Sequence, residues 1–82
     1  MKLYVIIKDF LIDFDWGSEV VGIYDNLNKA QNICNEENLK IQKKYEKENN
    51  IEHTKVWKDE DYYEYSHEYY YIKEFILNEK LS

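Results

Sequence analysis

The sequence predicts a small α+β fold: a three- or four-stranded antiparallel sheet in β-β-α-β order, with one long helix packed on one face. Three observations predict it. Lys2 to Lys8 (KLYVIIK) and Tyr69 to Leu77 (YYYIKEFIL) are dense in β-branched and aromatic residues, the composition of strands. Between them, Leu27, Ala30, Cys34, Ile41 and Tyr45 recur at helical spacing. The 82 residues suit one domain, 1–82, with no linker or internal repeat to divide it.

The first strand has Leu3, Val5 and Ile7 on one face and Tyr4 and Ile6 on the other. Both faces are apolar, which suits a central strand. Asp9 to Ser18 (DFLIDFDWGS) is expected to extend it and to turn near Asp15 to Ser18, where Gly17 lies. Glu19 to Tyr24 (EVVGIY) returns as the second arm of a hairpin. Asp25 and Asn26 carry short side-chain oxygens suited to a helix start. The helix is expected to run to about Glu48 and stop at Asn49-Asn50, with its last turn projecting into solvent. Glu37 interrupts its apolar stripe. Thr54 to Lys58 (TKVWK) alternates and is expected as a short strand. In the last strand Tyr69, Tyr71, Phe75 and Leu77 share one face, and Tyr70, Ile72 and Ile76 the other.

One helix covers one face of a sheet. The first and last strands are apolar or aromatic on both faces, so the other face is left exposing Tyr, Phe and Ile. A homodimer or a protein partner would cover it. The alternative is that the acidic, Tyr-rich segment 59–68 folds back over it. A compact chain of this length has a radius of gyration of about 12 Å and a diameter near 30 Å, too small for a deep pocket.

Composition narrows the function. The net charge is −6, with 11 Lys, no Arg and 17 acids. A net acidic chain is a poor direct binder of nucleic acid, because phosphate contacts need clustered cations. No apolar run is long enough for a membrane span or a signal-peptide core. The lone Cys34 cannot form an internal disulfide, which points to a reducing cytoplasm. Abundant Asn, Lys, Ile, Tyr and Glu with scarce Ala and Gly and no Pro fit an AT-rich coding sequence, hence a low-GC bacterial host. The nine tyrosines reflect that bias in part.

Few residues suggest chemistry. His53 and His67 match no metal-binding helix pattern, and Cys34 on the apolar stripe reads as a small buried hydrophobe. Asp13-x-Asp15-x-Gly17-x-Glu19 matches the start of a calcium loop, but the closing bidentate Glu and the flanking helices are missing. It reads as an acidic turn. No phosphate loop, cofactor motif or catalytic constellation stands out, so no cofactor, metal ligand or catalytic residue is assigned.

The distinctive feature is residues 59–68 (DEDYYEYSHE), which hold five acids and no Lys. Asp59, Glu60, Asp61, Glu64 and Glu68 supply negative charge suited to a basic groove. Trp57, Tyr62, Tyr63 and Tyr65 supply rigid contact area with polar tips. These nine residues are the candidate partner-binding set.

The pieces Leu3–Lys8, Tyr24–Ala30 and Tyr70–Leu77 resemble small uncharacterised β-β-α-β proteins of low-GC bacteria and their phages. In general character the chain is similar to small acidic phage inhibitors of bacterial defence, such as anti-CRISPR proteins. That likeness implies a non-catalytic cytoplasmic inhibitor that occludes a basic nucleic-acid-binding surface of a host defence nuclease. The other expected role is a small homodimeric scaffold or regulatory domain using its open sheet face.

Overall fold

The computed structural model describes residues 1–52 and 55–77. Three strands, β1 (Lys2–Ile12), β2 (Asp15–Tyr24) and β3 (Glu68–Ile76), form an antiparallel sheet in the order β2-β1-β3. The first strand, expected to be central, is so, while the last, also apolar on both faces, lies at an edge. Helix α1 (Leu27–Glu48) follows β2, and a three-residue helix α2 (Asp59–Asp61) leads into a wide turn of π geometry, Tyr62–Ser66. His53, Thr54 and Asn78 to Ser82 lie outside the described residues. So does the first residue of the expected Thr54 to Lys58 strand, and Lys55 to Lys58 form no strand.

The hairpin turn falls earlier than its glycine suggests. Asp13 (φ 51°) and Phe14 (φ 70°) form a two-residue turn, and β2 begins at Asp15. Two left-handed residues give the twist that joins adjacent antiparallel strands. Gly17 is instead a strand residue opposite Phe10. A Cβ there would lie 3.0 Å from the Phe10 ring, so the missing side chain makes room for the aromatic. At Val21 the register slips, with Ile6 opposite Gly22 and Ile7 opposite Val20. This bulge lies on the free edge of the sheet, where it hinders pairing with another strand.

Asn26 caps α1 by accepting the Lys29 amide (3.2 Å). At the other end Asn50 takes φ 54°, and the Ile51 amide donates to the Glu46 carbonyl (2.9 Å). This is the reverse turn that commonly closes a helix, with Asn in the left-handed position. The last turn does not project: Glu46 is buried there and Tyr45 half-buried, under the returning chain.

β2 and β3 run parallel with β1 between them, and α1 connects them. A right-handed crossover puts α1 on the face of Tyr4, Ile6 and Lys8. The contacts agree: Ile6 is fully buried, Lys29 lies over the Tyr24 ring, and Tyr70 packs against the cluster around Ile41. Ala30 and Cys34 complete this small core.

The buried stripe continues through Asn38 and Gln42, four residues apart, and passes by Glu37. Asn38 Nδ2 donates to the Tyr70 carbonyl (2.8 Å), and its Oδ1 accepts the Tyr70 amide (2.9 Å). An amide side chain thus stands in for a neighbouring strand on the outer edge of β3. Gln42 does the same one turn on, donating to the Lys55 carbonyl (2.9 Å) and accepting the Trp57 amide (3.3 Å). The helix clasps the two segments that follow it.

The molecule is flatter and longer than a sphere of its mass. Its extents are 54 × 29 × 16 Å and its radius of gyration is 15.0 Å, against the roughly 12 Å expected for a compact chain. The thickness is that of one sheet and one helix.

Candidate functional site

Residues 57–68 wrap around the outer edge of β3, from the end of α1 to the sheet face that α1 leaves open. Trp57 and Tyr62 are buried and, with Ile41, form an aromatic cluster. Their rings meet edge-on at 5.0 Å, and Trp57 also meets Tyr45 at 5.4 Å and Tyr65 at 5.7 Å. Ser66 Oγ donates to the Tyr62 carbonyl (2.7 Å), and the His67 amide reaches back five residues to the same oxygen (2.9 Å). His67 ends the turn in the left-handed region at φ 58°.

Tyr63 crosses to the open face. Its hydroxyl donates to Asp9 Oδ2 (3.0 Å), while Ser18 Oγ donates to Asp9 Oδ1 (2.6 Å). The Tyr63 ring meets Trp16 and Tyr69, at 5.3 and 5.2 Å. The Tyr-rich segment therefore does fold back over the sheet, but only at the Asp9 end. Asp9 ties the hairpin to the turn, and sequence reasoning missed it. Its signal was a single acid within the apolar strand Leu3 to Ile12.

The acids of the segment divide into two groups. Asp59 accepts the Tyr69 hydroxyl (2.7 Å). Asp61 accepts the Lys58 amide (2.9 Å) and lies 3.8 Å from Lys55 Nζ. Glu68 pairs with Lys8 at 3.0 Å, a bond that raises the lysine pKa. These three hold the fold together. Glu60 and Glu64 are exposed and form no hydrogen bond or ion pair among the described residues. Four residues apart on a helical turn, they point to similar sides. Tyr65, 42% exposed, is the most accessible aromatic of the segment. It borders an open groove of about 250 Å³ lined also by Tyr45, Ile51, Glu52 and Trp57.

The candidate set thus separates by position. Trp57 and Tyr62 are interior, because the aromatic cluster is what anchors the turn to α1. Asp59, Asp61, Tyr63 and Glu68 are half-engaged in internal bonds. Glu60, Glu64 and Tyr65 face outward. Cys34 is buried, which pushes its thiol pKa up. Asp13 lies in the hairpin turn, Asp15 opens β2 and Glu19 lies further along it, and no group of three His, Cys, Asp or Glu side chains gathers among the described residues. No helix among them is long and apolar enough to cross a membrane.

Burial raises the pKa of Tyr62, Tyr69 and Tyr71, and that of Tyr63 to about 12, where the bond to Asp9 adds to it. These hydroxyls ionise more easily in the unfolded chain than in the fold. Their contribution to stability is therefore complete below pH 10, the ordinary tyrosine value, and is lost as pH rises toward about 12. Cooperative unfolding is expected in that window, with tyrosinate absorbance rising alongside it. Smooth titration of all nine tyrosines around pH 10 with the far-ultraviolet spectrum intact would contradict this.

A scan against protein-family models and searches of curated proteins and of solved structures found no match for this chain.

Proposed function

We propose that the chain is a non-catalytic acidic binding protein that occludes a basic, nucleic-acid-binding surface of a partner protein. The observation that supports this reading is the outward group Glu60, Glu64 and Tyr65, mounted on a turn whose other side chains are locked in place. Two carboxylates without internal partners, beside a rigid aromatic, suit a cationic surface. A turn held by Asp59, Asp61, Tyr62 and Ser66 loses little entropy on binding. The partner class, a host defence nuclease, comes from the resemblance to small acidic phage inhibitors. The cytoplasm of a low-GC bacterium is the matching setting.

The test uses the two acids that do no structural work. Immobilised protein is exposed to a low-GC bacterial lysate, with and without competing duplex DNA. A captured nucleic-acid enzyme that DNA displaces, and that Glu60→Lys with Glu64→Lys fails to capture, supports the reading. Capture indifferent to both DNA and the double charge reversal overturns it. Replacing Asp59 or Asp61 would confuse the result, since each holds the turn together.

A further inference from the structure

We propose that the open sheet face is the contact between two copies of this chain. The face is the one opposite α1, at the end that Tyr63 leaves uncovered. Val20 and Ile23 of β2 are 62% and 61% exposed there, and Phe75 of β3 is 46% exposed. Leu3, Val5 and Ile7 of β1 form the floor between them.

Three observations select a second copy as the occupant. The first is charge. The chain carries −6, yet the only charged side chains the strands place on this face are Lys73 and Asp9, and Asp9 is already bonded to Tyr63 and Ser18. At the uncovered end the one charge is Lys73, whose ammonium lies over the Phe75 ring. A face with one cation and no free acid has nothing to offer the basic partner proposed above, and a two-fold axis keeps the two lysines apart wherever it does not pass through them.

The second is area. The chain as a whole exposes 6577 Å², more than the roughly 5,300 Å² of a compact monomer of 10.1 kDa, and its elongated shape and its open sheet face both contribute. A standard interface hides about 800 Å² on each partner, which the chain can give up without falling below the exposure of a compact monomer.

The third is layering. The 16 Å thickness is two layers, and a second sheet stacked about 10 Å away completes a four-layer α-β-β-α sandwich. Growth along the edges is hindered at one point on each side. Asn38 occupies the edge of β3 at Tyr70, and the Val21 bulge distorts the edge of β2. The inference is independent of the proposed function, and the dimer leaves Glu60 and Glu64 accessible on each copy.

The test is sedimentation of the full chain across the micromolar range, at low and high salt. The expected species has twice the 10.1 kDa chain mass, and high salt does not dissociate it. Ile23→Lys is expected to weaken the dimer by roughly 30-fold or more, with an unchanged far-ultraviolet spectrum because the site is exposed in one copy. Should that variant fail to fold, Val20→Lys on the same face carries the test. Glu60→Lys with Glu64→Lys is expected to leave the dimer intact. A monomer at every concentration overturns the proposal. So does a dimer that the β2 lysine leaves untouched, or one that salt or the acidic-turn variant abolishes.

Discussion

Replacing Trp57 with Ala is expected to lower the thermal unfolding midpoint by about 20 °C. The core is small. Among the described residues only Val5, Ile6, Ala30, Cys34, Ile41, Trp57 and Tyr62 are buried hydrophobics. Trp57 is the largest of them and the centre of the aromatic cluster, in contact with Tyr45, Tyr62 and Tyr65. Truncating a buried Trp costs about 3–5 kcal/mol, from lost transfer energy and from the cavity left behind. A small domain has only some 5–10 kcal/mol in total. The turn 59–66 depends on this cluster, so the loss falls on the element that holds Glu60 and Glu64. Trp16 remains as a fluorescent reporter of the far end, where it meets Tyr63. Its emission is expected to shift in the variant even at temperatures where the sheet persists. Trp57→Phe keeps part of the contact and is expected to recover much of the midpoint. A midpoint within a few degrees of wild type for the Ala variant would show that the cluster does not support the turn.

The fold was legible where hydrophobic period and secondary structure coincide. Alternation in Lys2 to Lys8 and Tyr69 to Leu77 assigned faces that the sheet keeps, and Asn26 and Asn49 mark the ends of the helix. What was not legible has identifiable physical causes. Gly17 drew the turn two residues too far because a glycine that makes room for a cross-strand aromatic looks like a turn glycine. Asn38 and Gln42 were invisible to a search for apolar side chains, although they continue the Ala30–Cys34 spacing. The signal was the four-residue step itself. At the candidate site, composition located the segment but could not sort it. Trp57, Tyr62 and Tyr65 look alike in sequence, and only packing separates two interior rings from one at the surface. The five acids are likewise equivalent until their partners are known.

Asn38→Ala is expected to cost about 2–4 kcal/mol, a large effect for a partly hidden polar side chain. Its amide makes two bonds to one residue of an edge strand, and neither partner can be satisfied by a neighbouring strand. Ala removes both bonds and leaves the Tyr70 amide and carbonyl facing the helix across a gap. The choice of replacement distinguishes edge clasping from simple space filling. Asp has nearly the same shape as Asn and can still accept the Tyr70 amide. It cannot donate to the Tyr70 carbonyl, and as a carboxylate it repels that oxygen. Asn38→Asp is therefore expected to be about as damaging as Asn38→Ala at neutral pH, and to recover part of the loss in acid, where a protonated carboxyl donates again. Urea unfolding at neutral pH, with a parallel series below the ordinary carboxylate pKa, reads this out. Amide exchange supplies the local measure: the Tyr70 amide is expected to lose protection more than Val5 or Ile6 in the central strand. If Asp were as stable as Asn at neutral pH, the clasp would be no more than packing, and the β3 edge would need another guard against pairing.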